Sequence, residues 1–516
     1  MATVALRSPA GKWIMVSTIL ASAMAFIDAT ALNVVLPSLQ KSLNASGADL
    51  FWILNAYLLM LASLILIGGA MGDKLGRKKV FMMGILIFIC GSAACGLAGN
   101  VLLLVVFRIL QGIGGALMIP GSLSLISSSI NAKERGKAIG TWSAFTTVVT
   151  MGGPILGGAL ADAGLWRYIF FINVPIGIAA LLMLTWKVKE IKDEDNTKGL
   201  DFPGAITIAL GLALITFGFL RIPTVGLYHI QAYGSLAAGV LFLIVFIIIE
   251  IKSNNPMMPL KLFASSTFSG ANLLTFFLYA GLGAGMLFLS LNLVQVQGYS
   301  QLQSGLTFLP FTVLMITVAR YAGSLADKLG PRLFLIGGPA IAGAGLLILS
   351  FIKQTNGPSD YWTTFFPGVL VLGLGMSFTV APLTAAVMGA VSDHFSGTAS
   401  GINNAMTRIS GVFANAIFGA LAVLFFSGAL QHEIKTISIN PKDKQEIIQQ
   451  ASNLGNAKPP TSITGTNKQI IEKAYHTSFI KAYANIMRIS AALGFFGALM
   501  ALIFIRNSTV IKDNKP

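Results

Sequence analysis

Apolar residues in this chain come in long runs broken by short polar punctuation, not in the alternation of a half-buried strand. The runs fall near 13–37, 50–71, 80–99, 101–125, 139–162, 168–186, 203–222, 233–251, 267–295, 303–324, 333–352, 362–388, 398–427 and 479–505. A helix needs about 20 apolar residues to cross a hydrocarbon layer of roughly 30 Å. The pattern therefore predicts fourteen transmembrane helices, an all-α integral membrane protein with both termini on one side. Two polar segments, Lys187 to Leu200 and Lys252 to Ser266, read as connectors. A longer one, 427–478, rich in Asn, Gln, Lys and Ser, reads as an external loop.

Composition sharpens this picture. Of 516 residues, 55% are hydrophobic and 10% charged, with mean hydropathy +0.77, too apolar for a soluble domain. Lys and Arg crowd into one set of loops, with Lys74, Arg77, Lys78, Lys79, Lys133, Arg135, Lys137, Lys187, Lys328 and Arg332 among them. The opposite short loops hold little beyond Lys41, Arg167 and Lys353. Cytoplasmic loops carry the positive excess, so both termini are expected in the cytoplasm. The same asymmetry accounts for the net charge of +16 without nucleic acid as a partner. Ala21-Ser22-Ala23 resembles a signal cleavage site, but the apolar pattern continues past it, and an uncleaved first helix is expected. Cys90 and Cys95 share one apolar run about 140° apart on a helix, which suggests neither a disulfide nor a metal site. His229, His394, His432 and His476 show no ligand spacing, so no metal is expected, and no nucleophile motif points to an enzyme.

An internal repeat organises the chain. Met71 to Arg77, MGDKLGR, returns as LADKLGPR at Leu325 to Arg332, each time between two apolar runs. Each copy follows the second helix of a six-helix unit. The expected division is 1–186 for the first bundle, 187–266 for a connector with two inserted helices, and 267–516 for the second bundle with its loop. Asp73 and Asp327 sit where a carboxylate can meet the N-terminus of a helix in the other half, and Gly76 and Gly330 recur with them. Arg77 and Arg332 could pair with acids across that face, Glu134 being one candidate for Arg77. Gating in the outward-facing state is the expectation. Simple positive-inside anchoring would explain the Lys and Arg but not the repeated Asp and Gly.

Asp28 is the one carboxylate well inside a predicted span. An ionisable group there costs about 2.5–3.5 kcal/mol on the insertion scale, which makes it a functional candidate. Proton coupling or recognition of a substrate cation is expected of it, against a purely structural hydrogen-bonded Asp. Arg108 lies near the same depth in the fourth helix, so the two can face each other; the alternative is an Arg bonded to backbone carbonyls. In the fifth helix Pro154 removes a helical hydrogen bond while Gly153, Gly157 and Gly158 allow close approach, so this helix should bend and pack against the other half. Asn33, Asn55, Tyr57, Gln111, Asn292, Gln295, Arg320, Asn403, Asn404 and Arg408 are candidate cavity lining. The second half offers Arg320 and Arg408 but no second intramembrane acid, which disfavours dications and leaves monocations, neutral amphiphiles and anions open.

Six elements in order resemble one family. Asp28 to Pro37 reads DATALNVVLP, and Gly69 to Lys78 reads GAMGDKLGRK. Arg108 to Gly115 reads RILQGIGG, Gly153 to Gly158 reads GPILGG, with Val149 where a leading Gly is usual, and Trp166 to Pro175 reads WRYIFFINVP. Gln297 to Ser300 reads QGYS, followed by Gly305 and Pro310. The chain resembles the fourteen-helix drug:proton antiporter branch of the major facilitator superfamily, over nearly its whole length. That resemblance implies the major facilitator fold, two six-helix bundles with two inserted helices, and a central cavity bordered by helices 1 and 4. It also implies a multi-pass protein of the bacterial cytoplasmic membrane that exports amphipathic small molecules against protons by alternating access. The expected partners are that substrate, protons and the bilayer. No cofactor is expected, since the proton gradient drives the cycle and no phosphate-binding loop is present, and a monomer is the expected state. A dedicated exporter of one endogenous solute and a transport-dead sensor are the competing readings.

Overall fold

The computed structural model describes residues 4–188, 201–392, 395–435, 437 and 439–506; at Asp73 and Asp327 only the backbone is described. The helices of the first half are α1 (Pro9–Leu43), α2 (Gly47–Leu75), α3 (Arg77–Leu97), α4 (Val101–Ser129), α5 (Ala132–Asp162), α6 (Tyr168–Phe171) and α7 (Asn173–Lys187). An inserted pair follows, α8 (Phe202–Val225) and α9 (Ile230–Lys252). The second half comprises α10 (Ser266–Gln295), α11 (Gln301–Leu306), α12 (Leu309–Leu329), α13 (Pro331–Leu349), α14 (Phe365–Gly389), α15 (Ser396–Glu433), α16 (Pro441–Gln449) and α17 (Gly465–Phe504). Among the described residues fourteen stretches are long and apolar enough to span a membrane, with α6–α7 and α11–α12 each forming one broken span and α16 none.

Local signals place the boundaries. Ser8 caps α1, accepting from the Gly11 N–H, with Pro9 preorganised at the first helical position. Ser46 and Asp49 form a reciprocal capping box at the start of α2. Gly76 between α2 and α3 has φ 108°, and Gly330 between α12 and α13 has φ 86°. Both copies of the repeated loop thus make the same helix–turn–helix with a glycine in a region that side chains avoid. The repeat in sequence is a repeat in backbone conformation.

In the first half α4 packs on α2 and α3, and α1 on α5; in the second, α13 packs on α14 and α17, and α12 on α14. The inserted helices lean on each other where Gly211 and Gly239 face across their crossing, and α8 lies against α2 and α15. One hydrophobic cluster of Leu59, Ala62, Ile208, Leu212, Phe246 and Val412 ties the insert to both halves.

The structure departs from the sequence reading at 427–478. α15 continues to Glu433 and α17 begins at Gly465, so these helices of 38 and 40 residues run on the order of 57–60 Å at 1.5 Å per residue, well past a bilayer core. Phe426 stacks on Tyr475, and Lys481 pairs with Glu433 at 2.6 Å, holding the extensions together. Hydropathy marks where lipid ends; the helix continues wherever Gln, Lys and Glu keep favouring it.

Candidate functional site

Asp28 is fully buried on α1 and Arg108 is 1% exposed on α4. The Arg108 guanidinium donates to Asp28 Oδ2 at 2.5 Å and to Gln111 Oε1 at 2.7 Å, and its Nε donates to the Ile53 carbonyl at 3.3 Å. Gln111 returns its amide to Asp28 Oδ1 at 2.9 Å. Beneath, the Arg108 guanidinium lies 4.4 Å from the centroid of the Tyr57 ring. The partners of both carboxylate oxygens, of Nε and of one terminal guanidinium nitrogen come from three helices, so the pair neutralises itself and is hydrogen-bonded at its edges, the condition for burying charge. The two readings weighed for Arg108, partner of Asp28 or donor to backbone, are both realised.

A second layer went unread in the sequence. Ser92 on α3 accepts from Gln111 Nε2 at 3.3 Å and from Asn173 Nδ2 at 2.9 Å, and donates to the Phe170 carbonyl at 2.8 Å. Asn173 and Trp166 belong to the WRYIFFINVP run, and Arg167 within it donates to the carbonyls of Gly96 and Ala98 at 3.1 and 2.6 Å. That run therefore anchors the end of α3 and orients the glutamine beside Asp28. An asparagine in an apolar run was the available signal; a serine such as Ser92 gives none.

The remaining candidates separate into groups. Asn403 donates to Asn272 and Thr275, joining α15 to α10, while Asn404 is exposed and bonds only within α15. Asn55 and Asn292 are fully buried with both amide atoms unpartnered. Asn33 and Arg408 are half-buried, and Arg320 is exposed on α12.

Gln295 sits elsewhere, in a seal between the halves at the end opposite the termini. Its Nε2 donates to Gln40 Oε1 at 3.1 Å, and Asn456 donates to the same oxygen at 2.7 Å. Nearby, the Asp162 carboxylate at the end of α5 accepts from the backbone N–H groups of Gln301 at 2.8 Å and Leu302 at 2.9 Å, and the Gln301 side chain meets Ser38. Burial beside Asp360 pushes the Tyr299 phenol up to about 12, so this rim carries no titrating tyrosine near neutrality. Asp162 and Gln301 were not singled out from the sequence, though Asp162 is one of few acids at a span end.

The glycines of α5 face this seal. A Cβ at Gly153 or Gly157 would strike Thr30 or Ala31 of α1, and one at Gly158 would strike the backbone of Gln301 and Leu302; a Cβ at Gly305 would strike Pro154 in return. Gly140, about five turns along α5 on the face of Gly158, has no described atom of another element within 4 Å. Across the molecule α2 and α15 stay in register, Phe51 by Gly419, Leu58 by Gly411 and Leu66 by Gly401. The halves are sealed at the end away from the termini, whereas toward the termini α5 meets no described atom of the other half at Gly140.

At the repeated loops, Lys78 donates to the Val188 carbonyl at 2.7 Å and Arg332 to the Leu502 carbonyl at 3.1 Å. Glu134, the candidate partner of Arg77, accepts from the Leu6 N–H at 2.8 Å. The expected helix-end contacts of Asp73 and Asp327 lie outside the described side chains.

Two helical bundles, a buried acid–base pair at mid-depth and a seal at one end define a polytopic membrane carrier. Residues 18–415 match the model of the Major Facilitator Superfamily, and the chain belongs to that family. It is 30% identical over 482 residues to the tetracenomycin C resistance and export protein of Streptomyces glaucescens, covering 93% of this chain and 89% of that one. It is 28% identical to the methylenomycin A resistance protein of Bacillus subtilis, over 82% of this chain and 90% of the relative. A bacterial homolog of the human lysosomal transporter Spinster, solved inward-facing and unoccupied, shares the fold with TM-score 0.66 at 19% identity, covering 96% of this chain and 98% of that one.

Proposed function

We propose that this protein exports amphipathic small molecules, antibiotics among them, across the cytoplasmic membrane of a bacterium in exchange for protons. The observation that carries the reading is the Asp28–Arg108 pair, a carboxylate fully buried in a span with one basic partner. A proton arriving at Asp28 removes the charge that Arg108 matches, leaving the guanidinium to Gln111, the Ile53 carbonyl and the Tyr57 ring. Such a change in the balance of a buried pair is worth several kcal/mol, enough to bias a two-state carrier. Proton entry supplies about 2.3 kcal/mol per 100 mV of membrane potential, and the cycle needs no cofactor.

Placing the termini and the basic loops in the cytoplasm makes this conformation inward-facing, sealed outside by Asp162 and Gln301 and parted inside along α5. Substrate enters from the cytoplasm or inner leaflet, and the glycine-packed α5–α11 contact opens for release. The chain works as a monomer in this scheme, since both halves of the pathway come from one polypeptide. The test is substrate-triggered collapse of an imposed pH gradient in proteoliposomes over a panel of lipophilic cations, neutral drugs and anions. Proton movement with several unrelated compounds, absent in Asp28→Asn, is the expected result; silence across the panel from folded protein would overturn it. Two relatives named for single antibiotics favour a second reading, a carrier dedicated to one compound, which would show coupling to one member of the panel alone.

A further inference from the structure

Two cations stand beside an apolar surface of the second half, toward the end opposite the termini. Between α15 and α17 lies a cavity of about 420 Å³, lined by Leu424, Phe425 and Gly428 from one helix and by Lys481, Asn485 and Arg488 from the other. Lys481 is engaged by Glu433 at 2.6 Å. Arg488 has no ion pair among the described residues, and its Nη1 donates to Asn485 Oδ1 only at 3.5 Å. It is exposed, with its guanidinium carbon 5.9 Å from the centroid of the Phe351 ring.

Depth puts this groove at the edge of the hydrocarbon. Arg488 precedes the end of α17 at Phe504 by on the order of 24 Å of helix, against a bilayer core of roughly 30 Å. Phe351 lies just past the end of α13 at Leu349, and Trp362, 67% exposed, packs on Phe366 at 5.0 Å as α14 begins. Aromatic rings so placed sit at headgroup level. Lys481 is about 10 Å farther out along α17. On the other side of Arg488 the same face of α17 continues as the exposed Ala492, Phe495, Leu499 and Leu502, at the three- and four-residue steps of one helical stripe. An uncovered apolar stripe below a pair of cations has the form of a lipid, chain below and headgroup above.

We propose that this groove binds an anionic phospholipid, its phosphate between Arg488 and Lys481 and one acyl chain along Phe495 and Leu499. A guanidinium without a counter-ion at the edge of hydrocarbon is unfavourable, and a lipid phosphate supplies the charge and accepts from the N–H groups that Asn485 leaves free. Glu433 occupies one of the three Lys481 donors, so Arg488 carries most of the recognition. A phosphocholine headgroup would bring a third cation to the two already present, which sets the preference for net-negative lipid. The site is separate from Asp28 and Arg108 and does not depend on the export reading. Only the leaflet it faces rests on orientation, the outer one when the termini are cytoplasmic.

The experiment titrates the full chain in detergent with dioleoylphosphatidylglycerol or dioleoylphosphatidylcholine and reads the first bound lipid by native mass spectrometry. The phosphatidylglycerol should bind about fivefold more tightly than the phosphatidylcholine. Arg488→Gln should weaken it by about fivefold and Arg488→Lys by less than about twofold, since the charge is kept. Gly428→Leu, whose side chain starts in open space within the groove, fills the cavity without altering charge and should weaken it by about threefold. Arg221→Gln, at an arginine near the C-terminal end of α8 and outside the groove, is the control and should change little. Equal binding of the two lipids, as large a loss in Arg221→Gln as in Arg488→Gln, or binding indifferent to both Arg488→Gln and Gly428→Leu overturns the site. Gly428→Leu keeps the test decisive if Arg488→Gln does not fold. Free glycerol 3-phosphate at millimolar concentration should displace none of the bound lipid; displacement would make this a site for small anions and overturn the phospholipid as its occupant.

Discussion

Arg108 is held by four groups, but only one of them carries a negative charge. Asp28→Asn keeps the shape but removes the charge and turns one of the two accepting oxygens into a donor, so gradient-driven flux should vanish while substrate still binds in nanodiscs. Arg108→Ala does something different: it strands a carboxylate in a dry interior, a change that costs about 3–5 kcal/mol. Thermal unfolding in detergent, followed by tryptophan fluorescence, should show a lower midpoint for Arg108→Ala, with part of the loss regained in Asp28→Asn/Arg108→Gln. Equal melting of the single and double variants would mean that the pair contributes nothing to stability. At this scale the identities were readable in sequence, because charge inside an apolar run is conspicuous. Gln111 as the bridge between the two was not, since an amide on α4 gains its role only when α1 and α3 are brought beside it.

The working elements are α5 with α11, and the two glycine turns. Gly76 holds φ 108°, so Gly76→Ala should cost about 1–2 kcal/mol from backbone strain alone. Melting midpoints should report it, with Gly140→Ala, in open space, as the neutral control. The α5 seal should respond in its population of states. Asp162→Asn keeps one of two charge-assisted hydrogen bonds, each worth about 1.5–3 kcal/mol, as a weaker neutral one and loses the other, because its NH2 cannot accept. Distances between spin labels placed across the rim at the exposed Leu165 and Ser359 should then lengthen in a larger fraction of molecules. Gly158→Val should act the same way and more strongly, because its side chain meets the backbone of Gln301 and Leu302 and cannot be accommodated by a rotamer change. An unchanged distance distribution in both variants would remove the seal from the mechanism. The Gly-Pro-Gly-Gly pattern foretold a tightly packed α5; which surface it would meet, and that Asp162 would lock it, depended on residues more than a hundred positions away.

For the molecule as a whole, orientation is the claim that ties geometry to direction of transport. With Cys90 and Cys95 replaced by Ala, a single cysteine at Ser462, between α16 and α17, should react with a membrane-impermeant maleimide in intact cells. One at Lys252 should react only after the cells are opened. The reverse pattern would invert the carrier and turn the sealed end toward the cytoplasm.

The number of spans, their near boundaries, the two-fold repeat and the identity of the buried acid can all be read from the residue order. All of these follow from local quantities: the length of an apolar run against the thickness of a bilayer, a glycine at a turn, the cost of a charge in hydrocarbon. Which polar groups are satisfied and which are left over depends instead on how the helices pack. Arg108 and Arg408 are equally improbable residues in an apolar run, yet one is neutralised by Asp28 and the other has no ion pair among the described residues. That difference arises from helix packing, which sets distances between groups eighty and more residues apart. The extent of α15 and α17 beyond the bilayer was hidden for the complementary reason, since hydropathy reports the solvent around a helix and not the hydrogen bonds that continue it.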